Sequence, residues 1–276
     1  MIDDSNEEYG YFDRRIRELV SSTNSTGVML NERFMPWEER VVSVLDMPGI
    51  DTNIRLTRAL HGIVVESLFL KYHYDPDKTL FDNCKSHADD FEQPLISDTL
   101  VTLVHPFYMH LCNMRRVKEH SLEEDADRYL DRLKSFLGKL QKMPSRADSL
   151  GVVLFDTAHH YAAVTSRLVE EGLIDKVIFT EFGVGNPKDL TDLVPLRDKT
   201  IYVAGGYNNK CLLWAIYDLV KNVKDPRKII GLSDLILNSP DSLSLLDPKW
   251  IGVTKRTNLP LDQVTTSYDM FEKIAL

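Results

Sequence analysis

The fold is decided by residues 200–219, TIYVAGGYNNKCLLWAIYDL. The first five residues are a short apolar run of the kind that forms a buried strand. Gly205 and Gly206 follow as a tight turn, and Asn208 or Asn209 can cap a helix whose leucines and isoleucine recur at helical spacing. A buried strand that passes directly into an amphipathic helix predicts one βα unit of a parallel sheet.

The same alternation of strand and helix extends over residues 96–276. Short apolar runs separated by helical segments predict a Rossmann-like α/β domain of three layers, with a mostly parallel sheet between two helical layers. One helix, over Tyr161–Glu171, is expected to end at Gly172 because glycine commonly caps helices. The predicted strands are Leu100–His105, Val152–Asp156, Val177–Glu181, Thr200–Ala204, Ile229–Leu232 and, as a sixth, Trp250–Thr254.

Residues 1–95 are predicted to form an acidic, α-helical N-terminal region that precedes this domain. Ser5 and Glu8 have the spacing of a capping box, and Pro36 is suited to begin a second helix. Residues 75–93 are polar and are expected to be irregular. A third helix is expected to have an apolar face made of Leu56, Leu60, Ile63, Val64 and Leu68.

The formal net charge of −9 lies entirely within residues 1–98, since acidic and basic residues balance in the rest of the chain. An acidic surface repels phosphate backbones and anionic lipids, so neither nucleic acid nor a membrane is an expected partner. The acidic N-terminus lacks the basic and apolar stretches of a signal peptide, and no apolar run approaches about 18 residues. These features predict a cytoplasmic protein.

Cofactor motifs are absent from the sequence. The three cysteines have no CxxC or zinc-type spacing and are expected to be reduced thiols. Neither GxGxxG nor the P-loop pattern occurs, so dinucleotide binding and nucleotide hydrolysis are not expected. The sequence therefore predicts no bound cofactor, a small-molecule ligand and, because N-terminal helices would offer apolar surface, a homo-oligomer.

Ligands of parallel α/β sheets bind at the carboxyl ends of the strands, so the residues that follow each strand are the site candidates. Cys211 falls in the first turn of a helix, where the dipole favours a thiolate, and is the candidate nucleophile. His105 is the candidate general base, oriented by Asp156 or Glu181. The predicted ligand-binding residues are Gly205, Gly206, Tyr207, Asn208, Asn209 and Tyr108.

Each of these candidates also has a structural interpretation. Cys211 can be a small apolar residue that packs its helix onto the sheet, and His105 can cap a loop at the end of a strand. A zinc, iron or manganese site is a further alternative, although no HExxH-type spacing accompanies it and no metal is assigned. Its ligands would come from His105, His110, His159, His160, Asp156 and Glu181.

The segment around Cys211 resembles the nucleophile segment of isochorismatase-like cysteine hydrolases. The resemblance rests on Val203-Ala204-Gly205, on Cys211-Leu212 and on Ala215-Ile216-Tyr217-Asp218. In that family the cysteine also lies six residues after the glycine that ends the strand. The resemblance implies a cysteine nucleophile that hydrolyses an amide or vinyl-ether bond in a small molecule.

The family also uses an aspartate at the end of the first strand and a lysine on a later strand. In this chain His105 stands near the first place, and Thr180 or Glu181 near the second. Two functions from different classes therefore follow from the sequence. One is a small-molecule hydrolase with Cys211 as nucleophile, and the other is a non-catalytic module that senses a ligand or binds a protein on the same scaffold.

Overall fold

The computed structural model describes residues 55–57, 64–66, 73, 75, 77–107, 123–180, 185–206, 211–237 and 263–274. Two short strands, Arg55–Thr57 (β1) and Val64–Glu66 (β2), pair antiparallel with each other. The remaining described strands form one six-stranded sheet. They are Thr99–Val104 (β3), Gly151–Asp156 (β4), Lys176–Phe179 (β5), Thr200–Gly206 (β6), Ile229–Leu237 (β7) and Val264–Thr265 (β8).

The six-stranded sheet is parallel throughout and has the order β5-β4-β3-β6-β7-β8. From the central β3 the chain moves outward through β4 to β5. It then returns to the other side of β3 and moves outward again through β6, β7 and β8. This is the doubly wound order of Rossmann-like folds, and it confirms the predicted α/β class with a mostly parallel sheet.

Helices cover both faces of this sheet. They are Leu80–Phe91 (α1), Glu123–Lys142 (α2), Arg146–Ser149 (α3), Ala158–Glu170 (α4, which is π-helical over Tyr161–Thr165), Cys211–Asn222 (α5) and Ser267–Ile274 (α6). One face is covered by α1, α2, α4 and α6, and the other by α5 and the 3₁₀ segment Leu190–Leu196.

Residues of β3 alternate between the two apolar clusters that these layers form. Val101 and Leu103 belong to the cluster beneath α1, α2, α4 and α6, whereas Leu100 and Val104 belong to the cluster beneath α5. Because both faces of the strand are buried, its sequence is mostly apolar, with only Thr102 polar between Leu100 and Val104, rather than alternating. The three-layer prediction is thereby confirmed for the described residues between 99 and 237.

The predicted third helix is wrong at two places, since residues 55–57 and 64–66 are β-strands. Leu56 and Val64 were expected on one helical face, but Leu56 pairs with Val65 and Val64 pairs with Thr57 across the two strands. Short runs that contain apolar and β-branched residues can fit either the helical period or the strand period. In these two segments the chain forms paired strands. The first two predicted helices lie outside the described residues.

The prediction that residues 75–93 are irregular is also wrong, because α1 occupies Leu80–Phe91. Thr79 caps it, accepting a hydrogen bond from the Asp82 backbone amide at 3.1 Å. Leu80, Cys84 and Ala88 recur every four residues and are buried in the main apolar cluster. The division of the chain at residues 95 and 96 stays a prediction, but this helix packs into the core of the sheet domain.

The later strands differ from their predicted bounds. The fifth strand of the sheet, β7, continues to Leu237, and β8 adds a short sixth strand at Val264–Thr265. The predicted strand Trp250–Thr254 lies outside the described residues. Gly172 ends its helix with φ +67, as predicted. None of the described helices is long and apolar enough to cross a lipid bilayer.

Candidate functional site

The strand order of the sheet reverses between β3 and β6, and we call this place the reversal point. Two unusual backbone conformations meet there. Gly205, at the end of β6, has φ +110, and a Cβ atom on it would lie 2.0 Å from the Val104 carbonyl oxygen. Across from it, His105 follows β3 with φ +42, which is uncommon for a residue other than glycine. Such conformations concentrate at functional sites, and doubly wound sheets bind ligands at this reversal.

Strand β6 also changes its pairing at this point. Its partner in β7 shifts from Val203–Gly231 to Gly205–Ile236, so β7 carries extra residues beside the point where the strand order reverses. A Cβ on Gly206 would lie 2.7 Å from the Leu237 Cβ, which explains the second glycine. Irregular pairing of this kind commonly occurs next to active sites, where it redirects the end of a strand.

Five polar side chains gather at the carboxyl ends of β3, β4 and β5, and we call them the strand-end cluster. His105 Nε2 lies 2.7 Å from Thr180 Oγ1, so the ring reaches from β3 across the end of β4 to the residue after β5. The rings of His105 and His160 approach edge to face, with centroids 6.0 Å apart. All members are buried. The cluster consists of His105, Asp156, His160, Thr165 and Thr180.

Asp156 is the centre of this cluster. Its Oδ1 accepts a hydrogen bond from the Thr157 backbone amide at 2.9 Å and lies 3.2 Å from His160 Nδ1. Its Oδ2 accepts a bond from Thr165 Oγ1 at 2.9 Å. Three partners fix the carboxylate, and the carboxylate in turn fixes the orientation of the His160 ring.

The π-helical turn in α4 explains why two of these partners reach one carboxylate. His160 and Thr165 are five residues apart, and on a regular α-helix such residues point about 140° away from each other. In a π-helix the hydrogen bonds join residues five apart, so residues with this spacing lie on one face. The π segment Tyr161–Thr165 therefore brings both side chains to Asp156.

Burial controls the charge of His105. Desolvation lowers its pKa from the ordinary value of 6.5 to about 4, with the nearby Asp156 carboxylate opposing the shift and His160 adding to it. The imidazole is therefore neutral at pH 7 and can donate one hydrogen bond and accept another. Its low pKa makes it a weak proton acceptor. Its predicted role as general base stays a prediction. The carboxylate Asp156 pairs with His160, whereas His105 Nε2 bonds Thr180.

One further buried group at this edge of the sheet has an unused hydrogen-bonding capacity. Thr157 follows Asp156 and is fully buried, and its Oγ1 has no hydrogen-bond partner among the described residues. Burying an unpaired hydroxyl costs on the order of 1–3 kcal/mol, which a polar ligand bound here would recover.

Cys211 is the first residue of α5, as predicted, and its side chain is 2% exposed. It belongs to the apolar cluster between α5 and the sheet. Gly185, in the loop after β5, packs against the first turn of α5, since a Cβ on it would lie 1.9 Å from the Cys211 carbonyl oxygen. Asn186 in that loop donates a 2.6 Å hydrogen bond to Asp218 of α5. The Asp156 carboxylate, in contrast, is directed to α4 on the other face of the sheet.

The structure thus brings together some of the predicted site residues. His105, Asp156, Gly205 and Gly206 share the carboxyl edge around the reversal point. Thr165 was missing from the predicted site, His160 was named only as an alternative metal ligand, and Thr180 only as a residue near the place of the family's lysine. His160 was detectable, because it follows a strand-ending aspartate by four residues, but the role of Thr165 depends on the π turn. The predicted residues Tyr108, Glu181, Tyr207, Asn208 and Asn209 lie outside the described residues, as does His110.

Comparisons with protein-family models, with curated proteins and with solved structures found no match to this chain. The resemblance to isochorismatase-like hydrolases therefore stays a proposal. The fold itself and the geometry of the strand-end cluster carry the functional argument.

Proposed function

We propose that this protein is a small-molecule hydrolase, with its site at the reversal point of the sheet and the Asp156–His160 pair as its acid–base couple. The observation that carries the proposal is the 3.2 Å contact between the Asp156 carboxylate and His160 Nδ1 at the edge where doubly wound sheets bind ligands. A carboxylate that orients an imidazole is the recurring device of enzymes that activate a nucleophile.

The chemistry follows from the tautomer that this contact favours. With the Nδ1 proton donated to Asp156, the basic lone pair of His160 is on Nε2. As a water oxygen bonds to the substrate carbonyl carbon, its proton passes to Nε2 and the carbonyl electrons move to oxygen. When the bond to the leaving group breaks, His160 returns the proton to that group.

Other groups at this edge have supporting roles in the proposal. The neutral His105 and the Thr157 hydroxyl can hydrogen-bond a polar substrate, and Gly205 allows it a close approach to the backbone. The free backbone amides at the N-terminus of α5 would stabilise the oxyanion. In the isochorismatase-like variant of the mechanism, the Cys211 thiolate attacks in place of water.

A non-catalytic ligand-binding module is the second candidate, and the burial of Cys211 in an apolar cluster favours it. Buried cysteines are usually inert packing residues. In this alternative the strand-end cluster recognises a polar small molecule but transfers no proton.

Hydrolysis of 4-nitrophenyl acetate, a generic acyl probe, tests the proposal with the variants Asp156→Asn, His160→Gln and Cys211→Ala. We expect the first two to lower turnover by about 100-fold or more, the usual contribution of a positioned acid–base group. Loss of turnover in Cys211→Ala as well would assign the nucleophile to the thiol, whereas retained turnover would assign it to water.

The matched control is Asp175→Asn. Asp175 is also a buried carboxylate, bonded by Arg146 and by the Val152 amide at 2.6 Å, but at the opposite edge of the sheet. We expect this variant to lose stability and keep turnover. Equal losses in the Asp156 and Asp175 variants, or no turnover above buffer in the wild type, would overturn the hydrolase proposal.

A further inference from the structure

A second group of polar side chains lies at the far end of α4, away from the strand-end cluster. Glu170 ends this helix, His87 is on the buried face of α1, and His73 lies in the turn region before α1. Glu170 Oε1 lies 3.3 Å from His87 Nε2 and 3.7 Å from His73 Nε2. One carboxylate oxygen therefore faces two imidazole nitrogens that come from different segments of the chain.

We propose that His73, His87 and Glu170 form a binding site for one divalent transition-metal ion, with Zn²⁺ as the best fit. Zinc binds imidazole nitrogen and carboxylate oxygen at about 2.0–2.2 Å in a tetrahedron, which separates neighbouring ligand atoms by about 3.3 Å. The distance from Glu170 Oε1 to His87 Nε2 equals this edge length at 3.3 Å, and the distance to His73 Nε2, at 3.7 Å, exceeds it by about 0.4 Å. All three ligand atoms lie within 4.8 Å of one another.

The ligands are held by outer contacts of the kind that metal sites use. Tyr161 Oη lies 2.7 Å from His87 Nδ1 and fixes the ring with Nε2 directed toward Glu170. A tyrosine hydroxyl can donate or accept, so its oxygen can accept a hydrogen bond from the Nδ1–H of a metal-bound His87. Arg167 binds the other carboxylate oxygen of Glu170, Oε2, which leaves Oε1 directed toward the histidines.

The chemistry of the three ligands selects the class of metal. Calcium and magnesium require several oxygen ligands, whereas two imidazoles with one carboxylate suit zinc and its first-row neighbours. Three protein ligands leave one position of a zinc tetrahedron for water, and His73 is exposed enough to admit an ion from solvent.

The place of the site in the fold indicates what the ion does. Glu170 follows His160 by ten residues, so the site lies roughly 15 Å along α4 from the strand-end cluster. A bound ion would fasten the segment at His73 to both α1 and α4. The inference is thus independent of the proposed hydrolase activity, and the expected consequence of metal binding is a gain in stability.

Isothermal titration of the chelator-treated, tag-free full chain with ZnCl₂ tests this inference, supported by the visible spectrum of the Co²⁺ form. We expect one ion per chain and a higher Tm with zinc. His73→Ala, at an exposed position, and Glu170→Gln should each weaken zinc binding by more than about 10-fold. Tyr161→Phe should weaken it by about 10- to 100-fold, the usual effect of losing an outer partner.

Glu171→Gln is the matched control, because Glu171 is adjacent, contacts the same Arg167 and is outside the proposed ligand set. It should bind zinc as the wild type does. Zinc binding that survives both His73→Ala and Glu170→Gln would place the ion at other histidines and overturn the assignment. Absence of one-to-one binding in the wild type would also overturn it, and the cluster would then be a histidine–glutamate ion pair alone.

Discussion

His105 Nε2 and Thr180 Oγ1 are joined by a 2.7 Å contact that crosses the carboxyl end of β4. The two residues follow β3 and β5, which are not neighbours in the sheet. The contact therefore spans two strand spacings and covers Asp156, the last residue of the strand between them. His105 is buried at this position, so the free energy of unfolding depends on its protonation.

Replacement of His105 by asparagine, which tolerates positive φ, should flatten the dependence of stability on pH. The folded-state pKa of His105 is about 4 and the unfolded value about 6.5, so the unfolded chain takes up the proton first. The contribution of the neutral His105 to the free energy of unfolding is fully present above pH 6.5 and is lost as the pH falls toward 4. Relative to His105→Asn, the wild type should lose on the order of 2 kcal/mol between pH 7.5 and 4.5, measured by urea unfolding.

Thr180→Val is the control for this experiment. It removes the hydrogen bond but leaves the buried imidazole, so it should keep most of the pH dependence of the wild type. Parallel pH profiles for the wild type and His105→Asn would contradict the assigned burial of a neutral histidine.

Cys211 should react with iodoacetamide no faster than Cys84 in the folded protein. The helix dipole favours a thiolate by about 0.3–1 kcal/mol, whereas moving a charge into an apolar cluster costs several kcal/mol. Cys84 is a matched comparison, since it is also buried but lies within α1, 3.2 Å from the Ala158 carbonyl oxygen. Timed labelling across pH, read by mass spectrometry, gives both rates. Selective labelling of Cys211 near pH 7 would instead support its role as nucleophile.

Gly205→Ala should lower the free energy of unfolding by about 2–4 kcal/mol. The new Cβ would overlap the Val104 carbonyl oxygen, so β3 and β6 would have to separate at the reversal point. Gly138→Ala is the control, because a Cβ there meets nothing within 4 Å inside α2 and should add about 0.5–1 kcal/mol. Thermal unfolding of both variants measures the difference, and a neutral Gly205→Ala would show that the strands are not held this closely.

A fragment of residues 96–276 should keep the circular dichroism of an α/β protein but unfold at a lower temperature than residues 75–276. The longer fragment keeps α1, whose Leu80, Cys84 and Ala88 are buried against the sheet domain. Losing these contacts should cost more than about 3 kcal/mol. A random-coil spectrum for the shorter fragment would refute the predicted division at residue 96, and equal stability would refute the contribution of α1.

The predictable parts of the structure were those in which local pattern and tertiary environment agree. The short apolar runs of β3, β4 and β6 alternate with helical segments and were predicted as buried strands, and Gly172 was recognisable as a helix end. Helix α1 was missed because its apolar stripe is narrow and includes a cysteine and an alanine. Residues 55–57 and 64–66 were assigned to a helix because isolated apolar residues satisfied that spacing by coincidence.

The candidate site was predictable only as a location. The rule for parallel sheets directed attention to the residues after each strand, and His105 and Asp156 were found by it. Their partners depend on three-dimensional features that spacing does not encode. Thr180 becomes a neighbour of His105 only because the sheet places β4 between them, and Thr165 reaches Asp156 only through a π turn. His73 and Glu170 are almost a hundred residues apart in sequence.

The π turn of α4 determines how side chains at the two ends of this helix are oriented relative to each other. His160 precedes the turn and Glu170 follows it, so the phase of the helix between them determines which way each side chain points. If residues 161–165 formed a regular α-helical turn instead, everything after that turn would be rotated by about 100° relative to His160. Thr165 would leave Asp156 and Glu170 would leave the histidines together. A change in the winding of five residues would thus disconnect two clusters that share no residue.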